Sequence, residues 1–355
     1  MKIDCVHFYV EDAVQVRRWF VEVLAFQRVA QGGDRDTAIE IVRSEGIIFV
    51  LAAPRTLQSP VARFLEQHPP GVADVMFATP DLETFLRQGR SRSLILPTEV
   101  KVQKYSQGYA QWCEVVSIAG IKHTLIERHG LTPILPQYDL QYLPLTVSQE
   151  SLFVEIDHVV LNVAAGQLQT TVDWYVEALG FERQQWFDIH TPRSGLYSQV
   201  LVHPQTGARF PINEPTSARS QIQEFLNAHR GAGIQHIALK TRQIIPAVSQ
   251  LQQGNVAFLD VPQTYYEQLR ARSPDLPLKP WEWDAIAQLN ILVDRQPRSQ
   301  RSSQLLLQIF TQPIFEQPTF FFEIIERRDR AEGFGEGNFQ ALFEAIERQG
   351  VTNRE

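Results

Sequence analysis

Three residues stand out by type and setting. His158 lies in Ile156-Asp157-His158-Val159-Val160, His236 in Gln235-His236-Ile237-Ala238, and Glu323 in Phe321-Phe322-Glu323-Ile324-Ile325. All three segments are short and rich in β-branched and apolar residues, so each reads as a β-strand. An ionised carboxylate among such neighbours is costly to bury unless it meets a cation or a metal. Arg327 and Arg328 are the nearby cationic partners in the sequence. A single strand histidine is more often a satisfied core residue than a ligand. Two imidazoles and one carboxylate together, however, can hold a divalent transition metal and leave coordination positions open for a reactant.

These residues sit in a chain that repeats itself. Ile3-Asp4-Cys5-Val6-His7-Phe8-Tyr9-Val10 parallels Ile156-Asp157-His158-Val159-Val160-Leu161-Asn162-Val163. Each is followed by an amphipathic helix, containing Trp19 to Arg28 in one copy and Trp174 to Arg183 in the other. Gly71 to Thr79 parallels Gly233 to Thr241, and Thr124-Leu125-Ile126-Glu127-Arg128 parallels Glu323-Ile324-Ile325-Glu326-Arg327. The repeat sets His158 against Cys5, His236 against Asp74 and Glu323 against Thr124. Alternate residues of a strand share a face, so a strongly curved sheet can aim all three second-half donors inward. Two histidines and a carboxylate form the facial triad of non-haem iron(II) oxygenases. The first half, with a thiol, a carboxylate and a hydroxyl, does not complete such a triad.

The repeat divides the chain into a first domain over residues 1–130, a proline-containing linker over 131–150 and a second domain over 151–355. Asn338 is a good N-cap after Gly333, Gly335 and Gly337, and Phe339, Leu342, Phe343 and Ile346 follow helical spacing. This predicts a terminal helix over about 334–348, docked on the core or acting as a lid. Pro274, Pro277 and Pro280 mark an irregular stretch.

Composition bounds the partners. The 355 residues are 44% hydrophobic and 21% charged, as expected of a folded globular protein. A net charge of −7 lacks the basic excess that nucleic-acid binding needs. No apolar run approaches the ~18 residues of a membrane span, and the strand-like N-terminus does not read as a signal peptide. With only Cys5 and Cys113, no disulfide framework is implied, and the expected location is cytoplasmic. No CxxC, HExxH or glycine-rich phosphate loop occurs. His68, His129, His190, His203 and His229 stand in polar or turn-like settings and are expected at the surface.

The repeated strand–helix–strand organisation resembles the vicinal oxygen chelate superfamily. Within it, the chain is similar to the 4-hydroxyphenylpyruvate dioxygenase family. The motifs are DHVVLNV around His158, PINEP at 211–215, GAGIQHIALKT at 231–241, LLQIFT at 306–311, FFFEIIER at 320–327 and GFGEGNFQALFEAIE at 333–347. The resemblance implies an α+β fold of two tandem domains, each a curved half-barrel sheet built from paired βαβββ modules with outer helices. It implies one Fe(II) per subunit on His158, His236 and Glu323. It also implies conversion of 4-hydroxyphenylpyruvate and O2 to homogentisate and CO2, by oxidative decarboxylation, ring hydroxylation and side-chain migration.

By motif position, Gln235, Gln308 and Asn213 would serve catalysis. Ser198, Asn213, Gln221, Gln235 and Gln308 would form the polar part of the substrate site, and Phe310, Phe321, Phe339 and Phe343 its aromatic walls. A phenol-binding pocket needs such flat apolar walls with a few aimed polar groups. Taken singly, each phenylalanine also reads as core packing and Asn213, between Pro211 and Pro215, as a turn residue. The resemblance further implies a homo-oligomer, dimer or tetramer, and a product entering tyrosine breakdown or quinone and tocopherol synthesis. Alternatives are a 4-hydroxymandelate synthase, an extradiol ring-cleaving dioxygenase, or a non-catalytic ligand-binding module of the same fold.

Overall fold

The computed structural model describes residues 1–91, 99–144, 151–190, 195–295 and 304–338. The first half runs β1 (Lys2–Tyr9), α1 (Ala13–Glu22), β2 (Gln27–Gly33), β3 (Thr37–Ser44), β4 (Ile47–Pro54), α2 (Pro60–Gln67), β5 (Gly71–Ala78), α3 (Leu82–Ser91), β6 (Lys101–Tyr105), β7 (Gly108–Val116), β8 (Lys122–Gly130) and β9 (Asp139–Tyr142). The second half runs β10 (Glu155–Asn162), α4 (Leu168–Leu179), β11 (Glu182–His190), β12 (Gly195–Val202), β13 (Arg209–Pro215), α5 (Gln221–His229), β14 (Gly233–Lys240), α6 (Ile244–Gln253), α7 (Gln263–Arg272), α8 (Pro280–Gln288), β15 (Leu292–Arg295), β16 (Leu305–Phe310) and β17 (Phe321–Arg327). Each half is thus two βαβββ modules forming a curled half-barrel sheet, with α7 and α8 added to the last module. Among the described residues no helix is long and apolar enough to cross a membrane.

Local chemistry explains the helix starts. Asp12 caps α1 by accepting from the Val14 and Gln15 amides, and Ser59 and Ser220 cap α2 and α5. Such caps satisfy amides that have no partner inside the helix. At the end of α4, Gly180 takes a left-handed conformation, which a glycine adopts without steric cost.

The first sheet has the order β6-β7-β8-β5-β1-β4-β3-β2-β9, the second β11-β12-β13-β10-β14-β17-β16-β15. In both, the central contact joins the leading strands of the two modules, β1 to β5 and β10 to β14, antiparallel. The linker is partly absorbed: Asp139–Tyr142 pairs with β2 as an edge strand. Alternation then splits the core. Val6, Phe8, Phe49, Val75 and Phe77 join Val159, Leu161, Ile237, Leu239 and Phe322 in one cluster spanning both halves. The intervening residues Cys5, Val50, Ala52 and Met76 pack in a second cluster on the other face of the first sheet, together with Leu135 of the linker.

Two surface expectations fail. His203 and His229 are buried, because tertiary packing covers a polar sequence neighbourhood. His203 lies against the N-terminal amine of Met1, and the His229 ring stacks on His68 at 4.7 Å. The expected terminal helix is described only to Asn338, where Glu336–Asn338 makes a short 3-10 turn. Phe339, Phe343 and the rest of that segment lie outside the described residues.

Candidate active site

Strand register brings the three donors together. His158 on β10 stands opposite Ala238 on β14, and Ala238 stands opposite Glu323 on β17. The outer two strands are therefore separated by one small side chain in the row. Across roughly twice the ~4.8 Å strand spacing, the longer His158 and Glu323 side chains lean over Ala238. His158 Nε2 comes within 3.1 Å of Glu323 Oε2. His236, one pleat earlier on β14, places Nε2 at 3.7 Å from the same oxygen. One ligand atom from each residue lies within 4.8 Å of the others.

Two β-bulges aim the neighbours. On β14 the pairing steps from His236 opposite Val160 to Ile234 opposite Leu161, leaving Gln235 as the extra residue. A bulge lets adjacent residues face the same side, and both Gln235 and His236 line the pocket. The second bulge leaves Asp157 unpaired beside His158. Asp157 Oδ1 accepts from His158 Nδ1 at 2.9 Å, and both Asp157 oxygens accept from Arg327 at 2.6 Å. A carboxylate at Nδ1 fixes the imidazole so that Nε2 presents its lone pair to a metal.

The pocket beside the donors contains Ser198, Asn213, Gln221, Gln235, Gln308, Phe310 and Phe321. Asn213 is not in a turn. It occupies β13, opposite Ser198 on β12 and Asn162 on β10, so polar groups form a row across three strands. Asn213 Nδ2 donates to Asn162 Oδ1 at 3.2 Å. Gln221 opens α5, and Gln308, within β16, is 1% exposed. The Phe321 ring stacks on His236 at 4.8 Å, with Phe310 edge-on to it at 6.2 Å.

Sequence reasoning missed Phe187 on β11, Ile222 on α5 and, above all, Phe334. The Phe334 ring meets His158 at 5.2 Å, nearly perpendicular. Its placement between Gly333 and Gly335 was the available signal. A side chain on Gly335, whose φ is +77°, would collide with the Gln308 amide.

The sequence profile of the Glyoxalase/Bleomycin resistance protein/Dioxygenase superfamily matches residues 155–275. A 4-hydroxyphenylpyruvate dioxygenase of Dictyostelium discoideum is 35% identical, over 98% of each chain. One from Coccidioides posadasii is 34% identical, over 98% of this chain and 92% of its own. The chain belongs to the 4-hydroxyphenylpyruvate dioxygenase family. A solved mutant of the 4-hydroxymandelate synthase of Streptomyces coelicolor shares the fold with a TM-score of 0.86 and 27% identity, over 98% of both chains. The protein is thus an enzyme of the 4-hydroxyphenylpyruvate dioxygenase type, a family of metal-dependent dioxygenases with the vicinal oxygen chelate fold.

The donor set fits a metal of this dioxygenase family. Glu323 Oε1 is buried without a hydrogen-bond partner, a costly state unless a cation meets it. Burial opposes a charge on His158, but Glu323 and Asp157 outweigh it and raise its pKa. Burial, aided by His158, pushes His236 well below the usual histidine range, favouring the neutral imidazole, the form able to bind a metal. In the first half the equivalent positions are self-satisfied: Asp74 accepts from the Thr124 amide and hydroxyl at 2.9 and 2.5 Å, and Cys5 contacts His7 and Met76.

Proposed function

We propose that this enzyme converts 4-hydroxyphenylpyruvate and O2 to homogentisate and CO2, with Fe(II) held by His158, His236 and Glu323. The observation that carries this reading is the pairing, in one pocket, of an open three-donor set with aromatic walls and aimed amides. Iron held there would supply the redox chemistry with O2 and Lewis acidity toward a 2-oxo acid. The protein's own groups do the rest. Phe310, Phe321 and Phe334 hold a flat ring against the donors, and Ser198, Asn213, Gln221 and Gln235 offer hydrogen bonds to its phenol end. Gln308 orients the oxo-acid end beside the metal. The phenylalanines also exclude water, which protects a reactive intermediate from side reactions.

Atoms balance without an external 2-oxo acid, because the substrate's own carboxylate leaves as CO2 while one oxygen enters the ring and the other the new carboxylate. Oxygen uptake with Fe(II) and 4-hydroxyphenylpyruvate, followed by product identification, tests the proposal. Homogentisate with equimolar CO2 is expected. 4-Hydroxymandelate as the product would replace the reading with benzylic hydroxylation. Absence of iron binding and oxygen uptake would leave a binding module.

A further inference from the structure

The two halves share a feature that the metal reading does not use. In the first half Arg128 Nη1 donates to Asp4 Oδ1 at 2.8 Å, and in the second Arg327 clamps Asp157 through two hydrogen bonds of 2.6 Å. The positions are repeat-equivalent: each aspartate is the bulged residue of its leading strand, and each arginine closes the Glu-Arg pair of the last module. Each arginine also reaches the chain that follows its strand. Arg128 Nη2 donates to the Ile134 carbonyl at 2.6 Å. Arg327 Nη1 donates to the carbonyls of Ala331 and Gly333 at 3.1 and 2.9 Å.

The segments so held meet the inner faces of their sheets. After Ile134 comes Leu135, which is fully buried in the cluster on the inner face of the first sheet. After Gly333 comes Phe334, which meets His158. One difference separates the halves. Asp157 also accepts from a metal donor, His158 Nδ1, whereas the residue after Asp4 is Cys5, with no such link. Only 5% of the Arg327 side chain is exposed, so solvent competes little for its bonds.

We propose that Arg327 is a positioning residue that makes metal binding at His158 and the docking of residues 331–335 a single event. Its guanidinium is planar and has five donors in fixed directions. Two directions hold Asp157, and thereby the His158 ring, while another holds the backbone that carries Phe334. A shift of the imidazole on ligation therefore moves the aspartate, the fork and the aromatic wall together. The proposal rests on His158 being a metal ligand.

Hydrogen exchange at amides 331–338 of the full chain, with and without Mn(II) as a probe that does not react with substrate, tests it. In the parent protein Mn(II) should slow exchange there. Arg327→Lys keeps a positive charge beside Asp157 but loses the fork. It should lower Mn(II) affinity by roughly tenfold, and exchange at 331–338 should be fast and indifferent to the metal. Asp157→Asn should show the same uncoupling and serves if the lysine variant does not fold. Mn(II)-dependent slowing retained in a folded variant overturns the proposal. Parent protein that binds Mn(II) without slowed exchange overturns the coupling alone, whereas parent protein that binds no metal overturns the metal reading and the coupling with it.

Discussion

Lys122 Nζ lies 3.4 Å from Oδ2 of Asp74, a fully buried carboxylate at the position that matches His236 in the second half. Where the second half presents donors with an unmet oxygen, the first supplies its own cation. Burial works against both charges, yet each holds the other: Asp74 is kept below the usual carboxylate range and Lys122 is raised. The linker completes the closure, with Leu135 and Tyr138 packed over the same inner face.

Removing that cation should be costly. Lys122→Met leaves a buried carboxylate with only its Thr124 bonds, and breaking a buried pair from one side costs about 3 kcal/mol or more. Chemical denaturation should show that loss. The double variant with Asp74→Asn should recover part of it, and metal content per chain should stay unchanged in both.

Loss of a proposed donor should have the opposite profile. His236→Ala or Glu323→Ala should abolish metal retention and turnover with a modest change in stability, since each removes an unmet or costly polar group from the interior. Metal analysis after dialysis checks the first and oxygen uptake the second. A variant that keeps wild-type activity would remove that residue from the donor set.

Gly335→Ala adds a methyl where the Gln308 amide already stands, at a φ of +77°. The expected result is displacement of the Phe334 segment and a fall in turnover of at least about tenfold, as misplacement of a positioning group commonly causes. Metal affinity should change less than turnover. Equal losses in both would place the effect at the donors.

Acid should destabilise the fold before the carboxylates protonate. Burial pushes His7 down to about 4, with Lys122 adding to the effect, and burial with the His68 charge pushes His229 to about 4. Unfolded histidines near 6.5 then bind protons that the folded ones refuse, so stability falls as pH drops from about 6.5 to 4. Each unit of difference is worth about 1.4 kcal/mol. Denaturation midpoints across that range should fall, and His7→Gln should flatten the slope.

Much of this was legible in the chain. Alternation and the repeat gave the strands, the pairing of halves and the contrast of His158, His236 and Glu323 with Cys5, Asp74 and Thr124. The bulges at Asp157 and Gln235 were not legible, because an extra residue in a strand changes pairing without changing residue type. Nor was the Lys122–Asp74 pair, which joins residues from different strands. His203 and His229 looked solvated because their sequence neighbours are polar, and only the fold covers them. Phe334 was not legible, since nothing in a glycine-flanked aromatic says which way its ring faces until it is placed against His158.

The aromatic core gives the silent half a share in the chemistry. Phe322, next to Glu323, sends its ring the other way, among Phe8, Phe20 and Phe49 of the first half. The strand bearing the carboxylate is thus backed by the neighbouring half, as a keystone is held by the stones on both sides. A gene fragment encoding only the catalytic half would expose that greasy reverse face to water. The first half therefore serves as the buttress that gives the carboxylate of the second its fixed address.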